Sequence, residues 1–378
     1  MLTGSAGIAV ADVYDDIVKD LEVNNISLQS LREESIAEIT STRIEGNLPA
    51  TDVEMEHVWS GRGGERKWSV GIAQEFDFPG VYYARNREIK ARREALDLKY
   101  RASLTDLVIQ ARELLTDVAY CNKAIELETM IVEEMKSICE FLERSYSNGE
   151  STILEVNRAK IELANNMVKL RGLNDRRMES LRQLKAMGCD IGTGHDVGYR
   201  MASLGSLDEY HAKIETNTAV AYYQQLKRAE ILGSKTRVRE MYPGFKVGYV
   251  HEYEEGTSFD GFSIGLSLPL FNNRGKRALS KSLKLKAELD EAVARIERES
   301  VIDVEYSKAK SSKDLIDILG PVFNGTSHAA LLGKAYRGGQ MSVIDYMREV
   351  TYLSESDWYL LELEMEYFKS LNRLESWQ

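Results

Sequence analysis

Set against itself at an offset of 194 residues, the sequence repeats. Thr42-Arg43-Ile44 falls on Thr236-Arg237-Val238, Pro49 on Pro243, Val53 on Val247 and His57 on His251. Ser69-Val70-Gly71-Ile72 falls on Ser263-Ile264-Gly265-Leu266 at the same offset. Further on the offset is 190, pairing Tyr146 with Tyr336, Gly149 with Gly339 and Ile153-Leu154-Glu155 with Val343-Ile344-Asp345. Self-similarity at a fixed period limits the architecture, because both halves must be built from the same parts in the same order. Here that order is short helices, a strand pair, a long helix, a glycine turn and a second helix.

The strand pairs alternate. Val53, Met55 and Trp59 share one side, with Asp52, Glu54 and Glu56 on the other. Their partner strand sets Trp68, Val70, Ile72, Phe76 and Phe78 against Lys67, Ser69, Gly71, Glu75 and Asp77. In the second half Phe245, Val247, Tyr249 and Tyr253 oppose Lys246, Gly248, Glu252 and Glu254. The last strand is the clearest, with Phe262, Ile264, Leu266, Leu268 and Leu270 alternating with Gly261, Ser263, Gly265 and Ser267. Segments of about 10 residues, apolar on one face and polar or small on the other, are the pattern of a membrane barrel, although a soluble sandwich with one wet face shares it. Gly61-Arg62-Gly63-Gly64-Glu65-Arg66 and Glu255-Gly256-Thr257-Ser258-Phe259-Asp260 read as hairpin loops. Four strands cannot close a barrel, and an open sheet edge is not tolerated in lipid. Strands of this kind in a membrane therefore require oligomerisation, and three chains would give twelve strands.

The helices are unusually long. From about residue 81 to residue 145 no proline interrupts the chain, and such a helix would measure roughly 100 Å. Leu104, Leu107, Ala111, Leu114, Val118, Cys121 and Ile125 follow spacings of three and four, and Val132, Met135, Cys139, Leu142 and Tyr146 continue the register. Glu128 is the one polar intruder in this coiled-coil seam. Asn148-Gly149 ends it, and a returning helix follows. Gly320-Pro321 should break or kink the corresponding helix of the second half.

The sequence thus divides into a first repeat over 12–189, a linker over 190–205 and a second repeat over 206–378. Strands are expected near 50–60, 67–78, 244–254 and 261–271, and long helices near 81–147, 151–187, 275–337 and 342–374. Residues 1–11 are read as the remnant of a signal peptide, since Ala9-Val10-Ala11 fits a small-residue cleavage site, although no basic residue precedes Lys19.

Composition narrows the function. A net charge of −11 argues against a nucleic-acid partner. Five prolines in 378 residues agree with long helices. No run of about 20 apolar residues is present, so no transmembrane helix is expected. Cys121, Cys139 and Cys189 lack metal-ligand spacing and read as small buried side chains. Five scattered histidines, no paired acids and no nucleophile arrangement argue against an enzyme, a metal site or a cofactor. Gly192-Thr193-Gly194 lacks the context of a nucleotide site and belongs to the linker.

Strand pair, long helix, glycine turn and returning helix, all duplicated, resemble the TolC-type outer-membrane efflux proteins, in particular the subgroup that includes metal-cation efflux channels. Ser263-Ile264-Gly265-Leu266-Ser267-Leu268-Pro269-Leu270-Phe271, followed by Arg274-Gly275-Lys276-Arg277, is similar to that family's strand-to-helix junction. Phe76-Asp77-Phe78-Pro79-Gly80 is the first-half version, and Tyr146-Ser147-Asn148-Gly149 and Tyr336-Arg337-Gly338-Gly339 resemble its helical tips. The likeness covers the chain from about Val23 to Arg373. It implies a mainly α fold with a membrane β-barrel: duplicated helical hairpins and four strands per chain, with a homotrimer forming a 12-stranded barrel and an α-helical barrel. It implies a passive exit duct in the outer membrane, without catalysis or cofactor, served by a periplasmic adaptor protein and an inner-membrane pump.

The resemblance also assigns sites. Glu155, Asp345 and Tyr336 would form the pore constriction, where rings of acids favour cations. Tyr146, Gly149, Gly338 and Gly339 would form the tips that receive the adaptor. Trp68, Val70, Ile72, Phe262, Ile264, Leu266 and Leu268 would face outer-membrane lipid. Arg85, Arg87, Arg274, Lys276 and Arg277 would mark the periplasmic interface or a solvated first turn. Two departures stand out: no cysteine for a lipid anchor lies near the start, and Met341 replaces a basic residue expected at the closing tip. The competing readings are a periplasmic adaptor, which would carry one hairpin, and a soluble coiled-coil scaffold, which would leave the Phe262-to-Leu270 face bare in water.

Overall fold

The computed structural model describes residues 6–44, 46–59, 66–192, 197–200, 202–268, 273–323 and 328–375. Helices α1 (Ala6–Asn24) and α2 (Ile26–Ile44) lead into strands β1 (Asp52–Trp59) and β2 (Arg66–Phe76), then into α3 (Pro79–Ser147) and α4 (Ile153–Ala186). The second pass has α5 (Leu207–Ala212), a 3-10 turn, α6 (Thr218–Arg239), β3 (Gly244–Glu254), β4 (Thr257–Ser267), α7 (Lys276–Phe323), α8 (His328–Arg337) and α9 (Val343–Glu375). The cleavage-site-like Ala9-Val10-Ala11 lies within α1.

The chain forms two compact units, and neither is a sequence repeat. One unit draws on Met1–Gln29, Ser103–Ile214 and Arg298–Gln378, the other on Ser30–Ala102 and Glu215–Glu297. We call them the helical unit and the sheet unit.

In the sheet unit the strands lie in the order β1-β2-β3-β4, antiparallel throughout, with β1 and β4 as edges. One correction concerns the second hairpin. The six-residue connector expected over 255–260 is a two-residue turn, Glu255-Gly256, and β4 begins at Thr257. Both turn residues have positive φ, 49° and 89°, as the tight hairpin turn matched to strand twist requires. Thr257 to Asp260 therefore pair in register with Glu254 to His251. The first connector, 60–65, and the strand-end residues Pro269, Leu270 and Phe271 lie outside the described residues. Helices α2, α3, α6 and α7 supply the rest of this unit. Small residues let them approach closely: Ser280 Oγ donates to Ser234 Oγ at 2.6 Å. Lys227–Glu291 (2.6 Å) and Lys99–Glu34 (3.0 Å) tie their surfaces.

In the helical unit α3 runs unbroken for 69 residues in all, as the absence of proline allows. Ala111, Val118, Cys121, Met135, Cys139 and Leu142 of the expected seam are buried, but so are Val108, Leu115, Ala119, Ile131 and Ile138. The buried stripe is wider than a two-helix seam because α3 packs against both α4 and α9. Tyr146, expected to continue the seam, is exposed in the last turn. In the second half Pro321 lies inside α7, which is described as far as Phe323, and α8 starts at His328; the expected break or kink falls at residues 324–327, outside the described residues. All three cysteines are free and buried, and burial pushes the Cys121 and Cys189 thiols up to about 11. The linker is not free chain: Val197 and Tyr199 are buried, with Tyr199 stacked on Phe368 at 4.6 Å. Gly188, at φ 102°, lies where a Cβ would come within 2.9 Å of the Asn24 carbonyl carbon.

Candidate functional site

Two candidate features stand out, one in each unit. The first is a face of the sheet. The register aligns Val53 with Ile72, Tyr249 and Phe262 in one row, and Gln74 with Val247 and Ile264 in the next. Since paired residues in an antiparallel sheet point to the same side, the apolar sets of all four strands merge into one surface. Trp68, Val70, Ile72, Phe262, Ile264 and Leu266 all lie on it, and Leu268 follows just beyond the end of β4. The surface is bare, with Phe262 and Ile264 each 85% exposed.

Aromatic rows bound this face. At one end Trp68 stacks on Tyr253 at 6.0 Å, beside His57 and Trp59. At the other, Phe76 stacks on Phe245 at 5.4 Å, and Phe78 meets Tyr242 at 5.2 Å. Trp68 and Phe76 are eight residues apart on β2, about 27 Å along the strand. At a barrel tilt of about 35–45° this is roughly 19–22 Å of height, somewhat less than the apolar band of about 25 Å between aromatic girdles, and the Phe78–Tyr242 pair extends the row beyond it. One polar cluster interrupts it: His251 Nδ1 lies 2.7 Å from Asp260 Oδ1, and the Tyr249 hydroxyl donates to the same oxygen.

The opposite face is polar. It carries Asp52, Glu54, Glu56, Glu75, Glu252 and Glu254 against Lys67 and Lys246. Lys67 pairs with Glu252, and Lys246 with Asp52 at 2.7 Å. Between them run Gly71, Ala73, Gly248, Gly261, Ser263 and Gly265, which keep this face low.

The second feature is the pair of helical tips. After α3, the Glu150 N–H donates to Ser145 O (2.8 Å) and the Gly149 N–H to Tyr146 O (3.0 Å). After α8, Gln340 donates to Ala335 O (3.0 Å) and Gly339 to Tyr336 O (2.9 Å). Both are Schellman turns, with Gly149 at φ 80° and Gly339 at φ 70°. A Cβ on either glycine would meet nothing within 4 Å, so within the chain the backbone angle, not space, selects glycine.

The two tip acids have local roles that the sequence reading missed. Thr152 caps α4: its Oγ1 accepts from the Glu155 N–H at 3.3 Å, and its own N–H donates to Glu155 Oε2 at 2.7 Å. Ser342 Oγ accepts from the Asp345 N–H at 3.1 Å and donates to Asp345 Oδ2 at 2.6 Å. The signal was present as Thr-x-x-Glu and Ser-x-x-Asp before apolar runs. Asp345 also lies 3.6 Å from Arg348.

Tyr336 is packed, not free. It meets Phe141 edge-on at 5.7 Å and Tyr346 at 5.3 Å. Burial pushes its phenol up, and the Glu155 charge adds to the rise. Met341 packs against the same apolar cluster, which includes Met135, Leu142, Val156 and Tyr346. A link that sequence reasoning did not find joins Arg337 to Glu134 at 3.3 Å, with the Tyr346 hydroxyl 3.5 Å from the same carboxylate. It connects residues 203 positions apart.

Among the strand-to-helix cations, Arg85 pairs with Glu240 (2.9 Å) and Asp77 (3.4 Å), and Arg87 lies 5.8 Å over the Tyr83 ring. Arg274 and Arg277 are exposed. Among the described residues, no group of three or more His, Cys, Asp or Glu could hold a metal ion. None of the described helices is long and apolar enough to cross a membrane.

Residues 45–188 match the model of the outer membrane efflux protein family. Over that stretch, less than half of the chain, the sequence is similar to the outer membrane efflux proteins. The fold extends the likeness beyond the matched repeat. A membrane protein from Pseudomonas aeruginosa superposes with a TM-score of 0.79 at 14% identity, covering 97% of this chain and 90% of that one. The outer membrane protein VceC from Vibrio cholerae gives 0.73 at 13%, covering 96% and 93%. The CmeC outer membrane channel of Campylobacter jejuni gives 0.74 at 12%, covering 97% and 85%. No curated protein matches the sequence. None of these comparisons supports the adaptor reading.

Proposed function

We propose that the chain is the outer-membrane exit duct of a tripartite efflux or type I secretion system, a passive conduit that performs no catalysis. The observation that carries this reading is the sheet. One face is apolar, exposed and bounded by aromatic rows, and two of its strands have open edges. In water that surface would drive aggregation. In lipid it is satisfied only if the edges pair, and four strands per chain are too few to close. A homotrimer supplies twelve strands, puts the apolar face against lipid and turns the acidic face to the lumen. The tips at Tyr146, Gly149, Gly338 and Gly339 would then receive a periplasmic adaptor protein coupled to an inner-membrane pump. Glu155 and Asp345 would line the narrowest passage with Tyr336 behind them; their capping bonds fix where the carboxylates stand.

Fractionation followed by sizing in mild detergent tests the proposal. The chain should sediment with outer membranes, require detergent and run as a trimer that resists dilution. A monodisperse monomer that keeps its β-content would overturn it.

A further inference from the structure

Glu128 sits in the middle of the α3 seam with none of its surface exposed. Cys121 and Ala124 precede it and Ile131 and Val132 follow, all buried. Neither of its carboxyl oxygens makes a well-formed hydrogen bond, and the Trp358 indole N–H on α9 is near enough to act on the carboxyl as a donor without completing one. Trp358 is held edge-on to Tyr120 at 6.4 Å. The charged groups acting on Glu128 come from α4, where Lys169 and Glu162 oppose each other; no ion pair with Lys169 forms. From α9 the facing group is the uncharged indole.

A carboxylate in such a place would be a buried charge with no ion pair and only a poorly placed indole donor, which proteins avoid by keeping the group neutral. A neutral acid suits the site: its carbonyl oxygen can accept from the indole with a small shift, and little else is required. Burial pushes the carboxyl up, with Glu162 adding, while Lys169 and the indole pull it down.

We propose that Glu128 is a protonation-controlled latch between α3 and α9: uncharged, it seats Trp358 against the seam, and ionised, it draws water in and frees α9. The sign follows from linkage. Above the ordinary glutamate value of 4.5 the unfolded chain has released this proton while the folded one keeps it. The latch therefore weakens as pH rises from there, and its contribution levels off once Glu128 ionises in the folded state. The latch does not depend on the channel reading.

Hydrogen exchange of the intact protein tests it, read against infrared spectra. In the wild type, protection of the α9 amides around Trp358, corrected for intrinsic exchange, should fall severalfold as the pH is raised from a lower value near 4.5 and then level off. Glu128→Gln should remove that fall, together with a protonated-carboxyl infrared band present in the wild type at the lower pH. Trp358→Phe removes the indole donor and should move the transition to higher pH, which a packing role alone would not do. An unchanged fall in Glu128→Gln, or no protonated-carboxyl band at the lower pH, would overturn the proposal. Should Glu128→Gln fail to fold, the infrared band and the Trp358→Phe shift decide it.

Discussion

The helical unit and the sheet unit use the same kind of alternating sequence and finish it differently. Around the tips, Leu142 is 1% exposed and Tyr346 is 0%, because α3, α4, α8 and α9 close over them within one chain. On the sheet, residues no less apolar are left open, and no described residue covers them. A folded chain can complete a helical core alone but cannot complete a four-stranded barrel. The first unit depends on packing, the second on its surroundings, and substitutions should separate them.

The largest effect belongs to the helical core. Leu142→Ala should cost about 2–5 kcal/mol through lost burial and a residual cavity, measured by denaturant unfolding in detergent. Ile264→Ala on the bare face should cost well under half of that. Equal losses would mean that the face is covered by protein. Next comes charge on the sheet: Leu266→Arg should destabilise by about 2–4 kcal/mol if it lies near the bilayer midplane, and Ser267→Arg much less. Reversal of that order would invert the inside and outside of the barrel.

At the tips the effects on stability are smaller. Gly339→Ala should cost about 1–2 kcal/mol, because its φ is left-handed. Gly339→Asn should cost less, since asparagine tolerates that angle and the position opens on free space. Yet the asparagine variant should lose efflux and adaptor crosslinking while staying trimeric, because its added bulk stands where a partner would dock. Normal efflux would reduce Gly339 to a turn residue. Smallest in stability is Glu155→Gln with Asp345→Asn, within about 1 kcal/mol, since amide oxygens can still accept the capping bonds. In single-channel recordings that pair should weaken cation preference, and an unmoved reversal potential would remove both acids from the constriction.

These contrasts also show what the sequence could reveal. Period-two alternation and the repeat offset located all four strands and their common face. The start of β4 escaped because Thr257-Ser258-Phe259-Asp260 has the composition of a loop; pairing to β3, with Asp260 held by His251 and Tyr249, overrides that preference. The tip turns were legible from glycine after a long helix. The capping role of Glu155 and Asp345 was equally legible, from Thr152 and Ser342 three residues ahead of them. The Arg337–Glu134 bridge was not legible, because only folding brings those residues together. Glu128 was visible as a polar residue in an apolar register, while its lack of a well-formed hydrogen bond needed coordinates.

The central claim is that the bare face of the sheet meets lipid, and spin-label accessibility in reconstituted membranes tests it most directly. Nitroxides placed singly from Gly261 to Leu268 should alternate. Labels at Phe262, Ile264, Leu266 and Leu268 should collide with oxygen dissolved in lipid, and those at Gly261, Ser263, Gly265 and Ser267 with a water-soluble nickel complex. Water-phase collisions at Ile264 and Leu266, or no alternation along β4, would contradict the account.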